Sequence, residues 1–145
     1  MKYITEEPIL LDARFALAQN DKAGAVVIFS GDVRNHNEGK KVEALEYESK
    51  ADLAALMIQE ILKEAKLRFG IHYADCVHRV GRVEIGERAI LVITAGSHRE
   101  ETYDANRYIV DRVKYDCPIW KKEHFASGDV VWGKNSTKRP KYLDE

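Results

Sequence analysis

The residues best suited to chemistry lie in the stretch 114–125, which mixes lysines with aromatic side chains around one proline. Pro118 lacks a backbone N–H and disfavours helix at the residue before it, so a helix that contains Lys114 must end there. The residues after Pro118 are predicted to form a strand, whose side chains alternate between two faces. Lys121 and Lys122 then point to opposite faces, and one of them faces an apolar surface or a pocket. A partly desolvated lysine beside other cations can act as a base or a nucleophile.

Two further groups of polar side chains follow predicted strands. His98 and Arg99 open a helix, where free backbone N–H groups and the helix dipole favour a bound anion. Arg34 lies in the polar loop 30–39 after an apolar strand, and loops of this kind often carry binding residues. These residues predict a site for phosphate or carboxylate groups, although solvent exposure or turn formation alone would also account for them.

Other chemistries receive less support from the sequence. Cys117 is a candidate thiol nucleophile near two lysines, but no base with an orienting group accompanies it. Trp120 and Phe125 beside lysines suggest a nucleic-acid surface, yet the net charge of −1 favours core packing instead. The five histidines show neither HxH nor HExxH spacing, so no metal site is predicted. A phosphate-binding module and a scaffolding subunit, both without chemistry of their own, remain alternatives.

Length and composition predict one soluble globular domain. We place this domain at residues 1–133 and treat 134–145 as a polar tail that is mobile unless a partner binds it. Two distant cysteines without CxxC spacing indicate a reducing compartment and no disulfide framework. The N-terminus shows no signal-peptide pattern, and no apolar run approaches the ~18 residues of a membrane span. These features predict a cytoplasmic protein that binds neither membranes nor nucleic acid.

Hydrophobic periodicity predicts an α+β fold with helices packed on a mainly antiparallel sheet. Helices are predicted at 9–19, 49–69 and 97–116, and strands at 3–8, 23–29, 42–48, 72–80, 88–95, 119–125 and 129–132. The strand at 23–29 is apolar throughout, which is typical of a strand buried on both faces. Ser49 and Ser97 are predicted N-caps in capping boxes, and Gly70 is a predicted left-handed C-cap.

Five separated segments, in one order over roughly residues 24–133, carry a resemblance to a known family. They are Phe29 to Asn37, Glu46 to Glu48, His78 to Gly81, Ser97 to Arg99, and Lys114-x-x-x-Pro-x-Trp-Lys-Lys-Glu123. Several motifs in a fixed order are far more specific than a single motif. By these segments the chain resembles the large, catalytic subunit of molybdopterin synthase, the MoaE family.

The resemblance implies a sulfur transferase. Members convert cyclic pyranopterin monophosphate into molybdopterin by installing two sulfurs as a dithiolene. The sulfur arrives as a thiocarboxylate on the C-terminal Gly-Gly tail of a small ubiquitin-like subunit, and this tail threads into a pocket of the large subunit. The resemblance also implies a homodimer of large subunits within a heterotetramer, an α+β fold of the hammerhead type, and no metal or organic cofactor.

The resemblance further implies roles for individual residues. Lys114 and Lys121 match the two pocket lysines of the family and are expected to be catalytic. The residues expected to bind substrate are Asp32, Val33, Arg34, His98, Arg99, Lys122 and Glu123. Asp32 stands where some relatives have a basic residue, which leaves its role open. As a hypothesis, one lysine stabilises the oxyanion as sulfur leaves the thiocarboxylate, and the other moves protons or assists opening of the cyclic phosphate.

Overall fold

Two mainly antiparallel sheets and three α-helices form the structure, a computed structural model that describes residues 2–133 and 138–145. In chain order the elements are β1 (Ile4–Thr5), α1 (Leu11–Leu17), β2 (Ala25–Asp32), β3 (His36–Asn37), β4 (Lys40–Ser49), α2 (Ala51–Phe69), β5 (Tyr73–Arg79), β6 (Gly81–Glu84), β7 (Arg88–Gly96), α3 (Arg99–Asp116), β8 (Ile119–Phe125), β9 (Val130–Trp132) and a C-terminal 3-10 helix (Lys141–Asp144).

The first sheet has the strand order β1-β5-β7-β2, and only its β1–β5 pair is parallel among the strands described. In the second sheet, β4 pairs with β3, β6 and β8, and β8 also pairs with β9. The chain passes from the first sheet to the second after β2, again at Val80 between β5 and β6, and a third time after α3. This arrangement confirms the predicted α+β class with mainly antiparallel sheets.

The helices α2 and α3 pack against each other and cover one face of the first sheet. The buried side chains of α2 recur every three or four residues, as in an amphipathic helix; they are Ala54, Ile58, Ile61, Leu62 and Ala65. Ile109 and Val113 of α3 complete this core with Cys76 and Val92 of the sheet. α2 ends at Gly70, whose left-handed backbone (φ 65°) confirms the predicted C-cap. Within the described part of the chain, no helix is long and apolar enough to cross a bilayer.

The helix α1 lies on the opposite face of the first sheet, where Ile9 and Ala18 pack beside Val77. A buried ion pair fixes this helix to β5. The guanidinium of Arg14 donates to both carboxylate oxygens of Asp75, at 2.9 and 2.8 Å, and both side chains are almost fully buried. The same guanidinium also donates to the backbone carbonyl of Lys2.

The strand β2 corrects one prediction, because it is not buried on both faces. It forms the edge of the first sheet, next to β7, and Val26, Ile28 and Phe29 are 40%, 40% and 38% exposed. A continuous apolar run is typical of a central strand, but an edge strand with the same composition leaves apolar surface uncovered. The sequence alone does not distinguish these two cases, since both strands look the same locally.

The predicted capping boxes are also wrong. The residues at the N-cap positions of α2 and α3 are Lys50 and His98, and neither makes a side-chain cap. Ser97, the predicted cap of α3, instead shares a 2.8 Å hydrogen bond with Nε2 of His72. Two short strands, β3 and β6, lie in segments that were predicted to be connections.

The C-terminal residues 138–145 pack on α2 and α3. Leu143 is 5% exposed and belongs to the core of these two helices. Arg139 donates to Asp116 at 2.8 Å, and the Tyr142 hydroxyl donates to Asp111. The polar composition of 134–145 predicts a tail with little to bury, and the burial of Leu143 corrects this prediction for the residues described. Residues 134–137 lie outside the described residues, and the mobility of the segment without a partner stays a prediction.

Candidate active site

A pocket of about 180 Å³ lies where α3, β8 and the ends of the two sheets meet. Its apolar wall comes from Phe29, Ile90, Val110, Val113 and Ile119. Its polar side chains are Tyr47, His78, Lys114 and Lys121. The pocket therefore combines an apolar wall with four groups able to hydrogen-bond to a ligand.

The two lysines predicted to be catalytic meet in this pocket. Lys114 lies in the last turn of α3, where the helix dipole favours a cation. Lys121 lies on β8, opposite Tyr47 of β4. The helix ends at Asp116, as Pro118 requires, and the turn that follows brings β8 back beside it.

The strand β8 shows the predicted alternation of its lysines. Lys121 faces the pocket, while Lys122 points to the other side and forms a 2.8 Å ion pair with Glu48. The Lys122 ammonium also lies 4.7 Å from the ring centre of Trp132. This ion pair raises the pKa of Lys122, so its amine stays charged.

Gly133 gives Lys121 the space that its side chain occupies. The Gly133 N–H donates to the Lys121 carbonyl at 2.7 Å. A β-carbon at position 133 would lie only 2.6 Å from Cγ and Cε of Lys121. The absence of a side chain at this glycine therefore lets the lysine lie flat against the backbone after β9.

The other two polar side chains of the pocket are electrically neutral at physiological pH. Burial lowers the pKa of the His78 imidazole to about 4, and the ring packs edge-on against Tyr47 with centroids 4.8 Å apart. Burial, with a smaller contribution from Glu123, raises the pKa of the Tyr47 phenol to about 12. The pocket thus holds a neutral imidazole and a neutral phenol beside its two lysines.

Sequence reasoning assigned no role to Tyr47 or His78, although both stand in segments that carry the resemblance. Tyr47 pairs directly with Lys121 across β4 and β8, so the two side chains lie on the same face of the sheet. The pairing of these two strands would have indicated Tyr47 as a pocket residue. No local signal brings His78 to the lysines, because β5 and β8 are about forty residues apart in the chain and belong to different sheets.

The predicted substrate residues Asp32, Val33 and Arg34 lie at the end of β2 and just after it. Arg34 is exposed, whereas Val33 is buried and its backbone exchanges hydrogen bonds with the turn at Gly86 and Glu87. Asp32 accepts a 2.6 Å hydrogen bond from Ser30. These three residues are therefore adjacent in space, but only the first presents a free charged group to solvent.

Glu123 of β8 contacts the segment that follows β2. It is buried, and its Oε1 accepts a 2.8 Å hydrogen bond from the amide of Asn37. Glu123 follows Lys121 on the same face of β8 by strand alternation. The contact couples the loop that carries Arg34 to the strand that carries Lys121.

His98 and Arg99 do not lie near the lysine pocket in one copy of the chain. They mark the start of α3, whereas Lys114 lies in its last turn, fifteen residues from Arg99. At 1.5 Å per residue the two positions are separated by about 22 Å along the helix. The His98 side chain is 83% exposed, and its Nδ1 lies 3.5 Å from Oε2 of Glu101.

The thiol alternative loses support from the environment of Cys117. This residue is buried in the core of α2 and α3 and does not line the pocket. Burial raises the pKa of its thiol to about 11, with Asp116 adding to the effect. A buried, protonated thiol is a poor nucleophile. Within residues 2–133 and 138–145, no cluster of three or more His, Cys, Asp or Glu side chains is arranged to hold a metal ion.

Comparison with known proteins places the chain in a family. The family model described as "MoaE protein" matches residues 4–116. The molybdopterin synthase catalytic subunit of Nostoc is 37% identical over 130 residues, which cover 89% of this chain and 79% of the relative. The subunit of the same name from Pyrococcus abyssi is 40% identical over 123 residues, covering 85% and 83%.

Solved structures agree with this placement. The crystal structure of molybdopterin synthase from Staphylococcus aureus superposes with a TM-score of 0.86 at 34% identity, over 92% of this chain and 97% of that one. A complex of subunits 1 and 2 of molybdopterin-converting factor from Helicobacter pylori superposes with a TM-score of 0.70 at 22% identity, over 92% of this chain and 91% of that one, and shows the shared fold alone. By sequence over most of its length, and by its fold, the chain belongs to the MoaE family.

Proposed function

We propose that this chain is a catalytic subunit that transfers sulfur from a thiocarboxylated small subunit to cyclic pyranopterin monophosphate, forming the dithiolene of molybdopterin. One observation carries the proposal: Lys114 and Lys121 meet in a single pocket with an apolar wall. Membership of the MoaE family supports it, because the relatives that match are named molybdopterin synthase catalytic subunits. That name also supports a second, partner subunit.

The pocket suits the end of a Gly-Gly tail that carries a thiocarboxylate. Glycines have no side chain, so an extended tail of this kind is narrow enough for a volume of about 180 Å³. The terminal group is an anion, and Lys114 and Lys121 offer two ammonium donors to it. The apolar wall lowers the local dielectric constant around these groups, so the charge-assisted hydrogen bonds are stronger than they would be in bulk solvent.

The same donors suit the chemistry of sulfur release. When an oxygen nucleophile adds to the thiocarboxyl carbon, negative charge develops on the carbonyl oxygen before the C–S bond breaks. A fixed ammonium group beside that oxygen stabilises the oxyanion. We assign this role to one lysine of the pair, and proton transfer during opening of the cyclic phosphate to the other.

We further propose that the chain works as a homodimer that meets along β2. Val26, Ile28 and Phe29 leave an apolar surface exposed on an unpaired edge strand, which is a favoured place for association. Dimers of one chain are mostly two-fold symmetric. Two β2 strands related by an axis near Ile28 run in opposite directions.

This dimer would complete the site with residues from the second copy. Gly96, just before His98, pairs with Ala25 at the start of β2, whereas Gly31 near the other end of β2 lines the lysine pocket. Antiparallel β2 strands therefore bring the partner's His98 and the partner's Arg99 towards the pocket. Arg34 and the partner's Arg99, which make no ion pair within the described residues, would then hold the phosphate.

Mixing two inactive variants tests the shared site. Arg99→Ala and Lys121→Ala proteins, dissociated together and reassociated, are expected to regain about a quarter of wild-type turnover. Half of the random dimers then contain both variants, and each of these has one site with both residues intact. Mixing Lys114→Ala with Lys121→Ala is the matched control and should regain nothing, since both lysines come from the same copy. Recovery in the control, or none in the first mixture, would contradict the shared site.

Turnover by the wild-type protein tests the proposed function itself. The purified chain is combined with a thiocarboxylated small subunit and cyclic pyranopterin monophosphate, and the dithiolene product and the spent carboxylate tail are both measured. We expect both products to appear together. If substrate and small subunit bind but the thiocarboxylate is not consumed, the chain is a binding or scaffolding subunit instead.

A cytoplasmic location belongs to this proposal and is supported by two free, buried cysteines.

A further inference from the structure

One ring nitrogen of His78 forms a hydrogen bond to the backbone, and the other is available to a ligand. Its side chain lies on β5 and is buried, with the residue 8% exposed, and it lines the pocket that contains both lysines. Nδ1 lies 2.7 Å from the backbone carbonyl of Arg79. A carbonyl oxygen only accepts hydrogen bonds, so Nδ1 carries the proton and Nε2 carries a lone pair. Within the described residues Nε2 has no hydrogen-bond partner.

The other polar groups of the pocket are donors. The ammonium groups of Lys114 and Lys121 have no lone pair to offer while they bind an anion. The Tyr47 phenol keeps its proton, because burial raises its pKa to about 12. The neighbouring strands contribute no titratable side chain at the paired positions, where Ile4 and Ile90 lie opposite His78. The Tyr47 oxygen can accept a hydrogen bond but is a weak base while it keeps its proton, so His78 is the lining side chain with a neutral, basic lone pair.

We infer that His78 is the proton acceptor of this site, and that it activates the water molecule that releases the sulfur. The inference rests on the proposed function, because it needs a thiocarboxyl carbon in the pocket. The roles expected for the two lysines leave this step without a base.

Sulfur leaves the tail by hydrolysis with one water molecule. Water gives one proton to Nε2 of His78, and its oxygen forms a bond to the thiocarboxyl carbon, which by then carries its sulfur bonded to the pterin precursor. The tetrahedral intermediate collapses, the C–S bond breaks, and its electron pair stays on the sulfur that remains with the pterin. The tail leaves as a carboxylic acid, which loses its proton to solvent, and the His78 imidazolium returns its own proton to solvent.

Occupancy of the pocket adjusts the strength of this base. In the empty pocket, burial keeps the imidazole unprotonated at physiological pH. At this step the tail is a neutral thioester, so the phosphate of the bound substrate is the anion that stabilises the imidazolium and raises the pKa of His78 towards neutrality, where a general base is most effective. Lys114 and Lys121 oppose this shift, so the pKa of His78 rises only as far as bound anions offset the two lysines.

Two substitutions separate proton transfer from simple hydrogen bonding. His78→Asn keeps a donor for the Arg79 carbonyl but has no atom at the Nε2 position. His78→Gln places an amide near that position, which accepts a hydrogen bond but takes no proton. Both variants are expected to turn over about 10²-fold more slowly, with the affinity for the small subunit unchanged. His72→Gln is the control and should match wild type, because His72 lies outside the pocket and bonds to Ser97.

The pH dependence of the rate distinguishes a base from a residue that only supports the structure, because replacing a merely structural residue would leave the shape of the pH profile unchanged. The wild-type rate should level off once His78 is unprotonated in the loaded complex, whereas the His78→Gln rate should keep rising with pH as hydroxide replaces the activated water. Wild-type turnover in His78→Gln would mean that a hydrogen bond suffices, and wild-type turnover in His78→Asn would mean that Nε2 is idle. Either result overturns the inference.

A spectroscopic measurement separates this inference from the proposed function. Nitrogen-15 NMR of the free wild-type protein should show His78 as the Nδ1–H tautomer, unprotonated at neutral pH. The complex with a small subunit that carries a carboxylate tail should show a higher pKa of the His78 ring than the free protein. A free protein with a proton on Nε2 at neutral pH overturns the inference, whatever the activity. A wild-type protein without turnover refutes the proposed function, whereas an active wild type with active His78 variants refutes only the role of His78.

Discussion

Replacing Lys121 by alanine is expected to slow dithiolene formation by about 10³-fold, as the loss of an oxyanion donor does in other acyl-transfer enzymes. The side chain lines the pocket from β8 and lies against the backbone of Gly133, so no neighbouring residue on the strand can take its place. Lys122 in particular points away and is paired with Glu48. The effect should fall on the rate of the chemical step, because the donor acts most strongly in the transition state.

Single-turnover kinetics with a saturating small subunit measure this effect. Lys114→Ala is expected to show a loss of similar size, since Lys114 lines the same pocket from α3. Lys63→Ala is the matched control, because this lysine lies on the exposed side of α2, outside the pocket, and pairs with Glu60. Near-normal turnover in Lys121→Ala would show that the pocket lysine is not part of the chemistry.

Removing the carboxylate of Asp75 is expected to have the largest effect on stability. Asp75→Ala should lower the free energy of unfolding by about 3–5 kcal/mol, because it leaves the guanidinium of Arg14 buried without its counter-charge. One nitrogen of the Arg14 guanidinium donates to both carboxylate oxygens, and both side chains are shielded from water. The backbone carbonyl of Lys2 would still accept a hydrogen bond from Arg14, but a neutral carbonyl does not neutralise the charge.

Urea unfolding of three variants isolates this effect. The double variant Arg14→Leu/Asp75→Leu should recover most of the lost stability, since no buried charge remains. Glu60→Ala breaks an exposed ion pair on α2 and should change the unfolding free energy by less than about 1 kcal/mol. If Asp75→Ala unfolds at the wild-type urea concentration, the buried pair does not contribute as the structure implies.

The predictions that succeeded from sequence rest on local rules. Pro118 ends α3 at Asp116, and strand alternation then sends Lys121 and Lys122 to opposite faces of β8. Both effects act within a few residues and do not depend on the rest of the fold. The cap at Gly70 is of the same kind, because the left-handed conformation that it adopts favours glycine locally.

The features that sequence reasoning missed depend on distant parts of the chain. Whether β2 is central or at an edge follows from the order of strands in the sheet, which its own apolar residues do not determine. The contribution of His78 to the pocket follows from the meeting of two sheets. Leu143 reaches the core because the C-terminal segment folds back on α2 and α3. A single leucine among charged residues is not a pattern that predicts such packing.

The separation of the candidate site residues has a physical explanation. A single helix, α3, carries Arg99 at its start and Lys114 in its last turn, so a rigid element holds them about 22 Å apart. No rearrangement of loops within one copy brings them to one small ligand. A site that uses both residues therefore requires a second copy, and the exposed edge of β2 offers the surface for it.

We propose that the pocket between α3 and β8 receives the sulfur-bearing end of the small subunit. A small subunit with a photoreactive group in place of its C-terminal thiocarboxylate tests this directly, when it is bound to the wild-type chain and irradiated and the cross-links are mapped by mass spectrometry. We expect cross-links in the peptides that contain Lys114 and Lys121. Cross-links confined to α2 or to residues 138–145 would place the tail elsewhere and contradict the assignment of the active site.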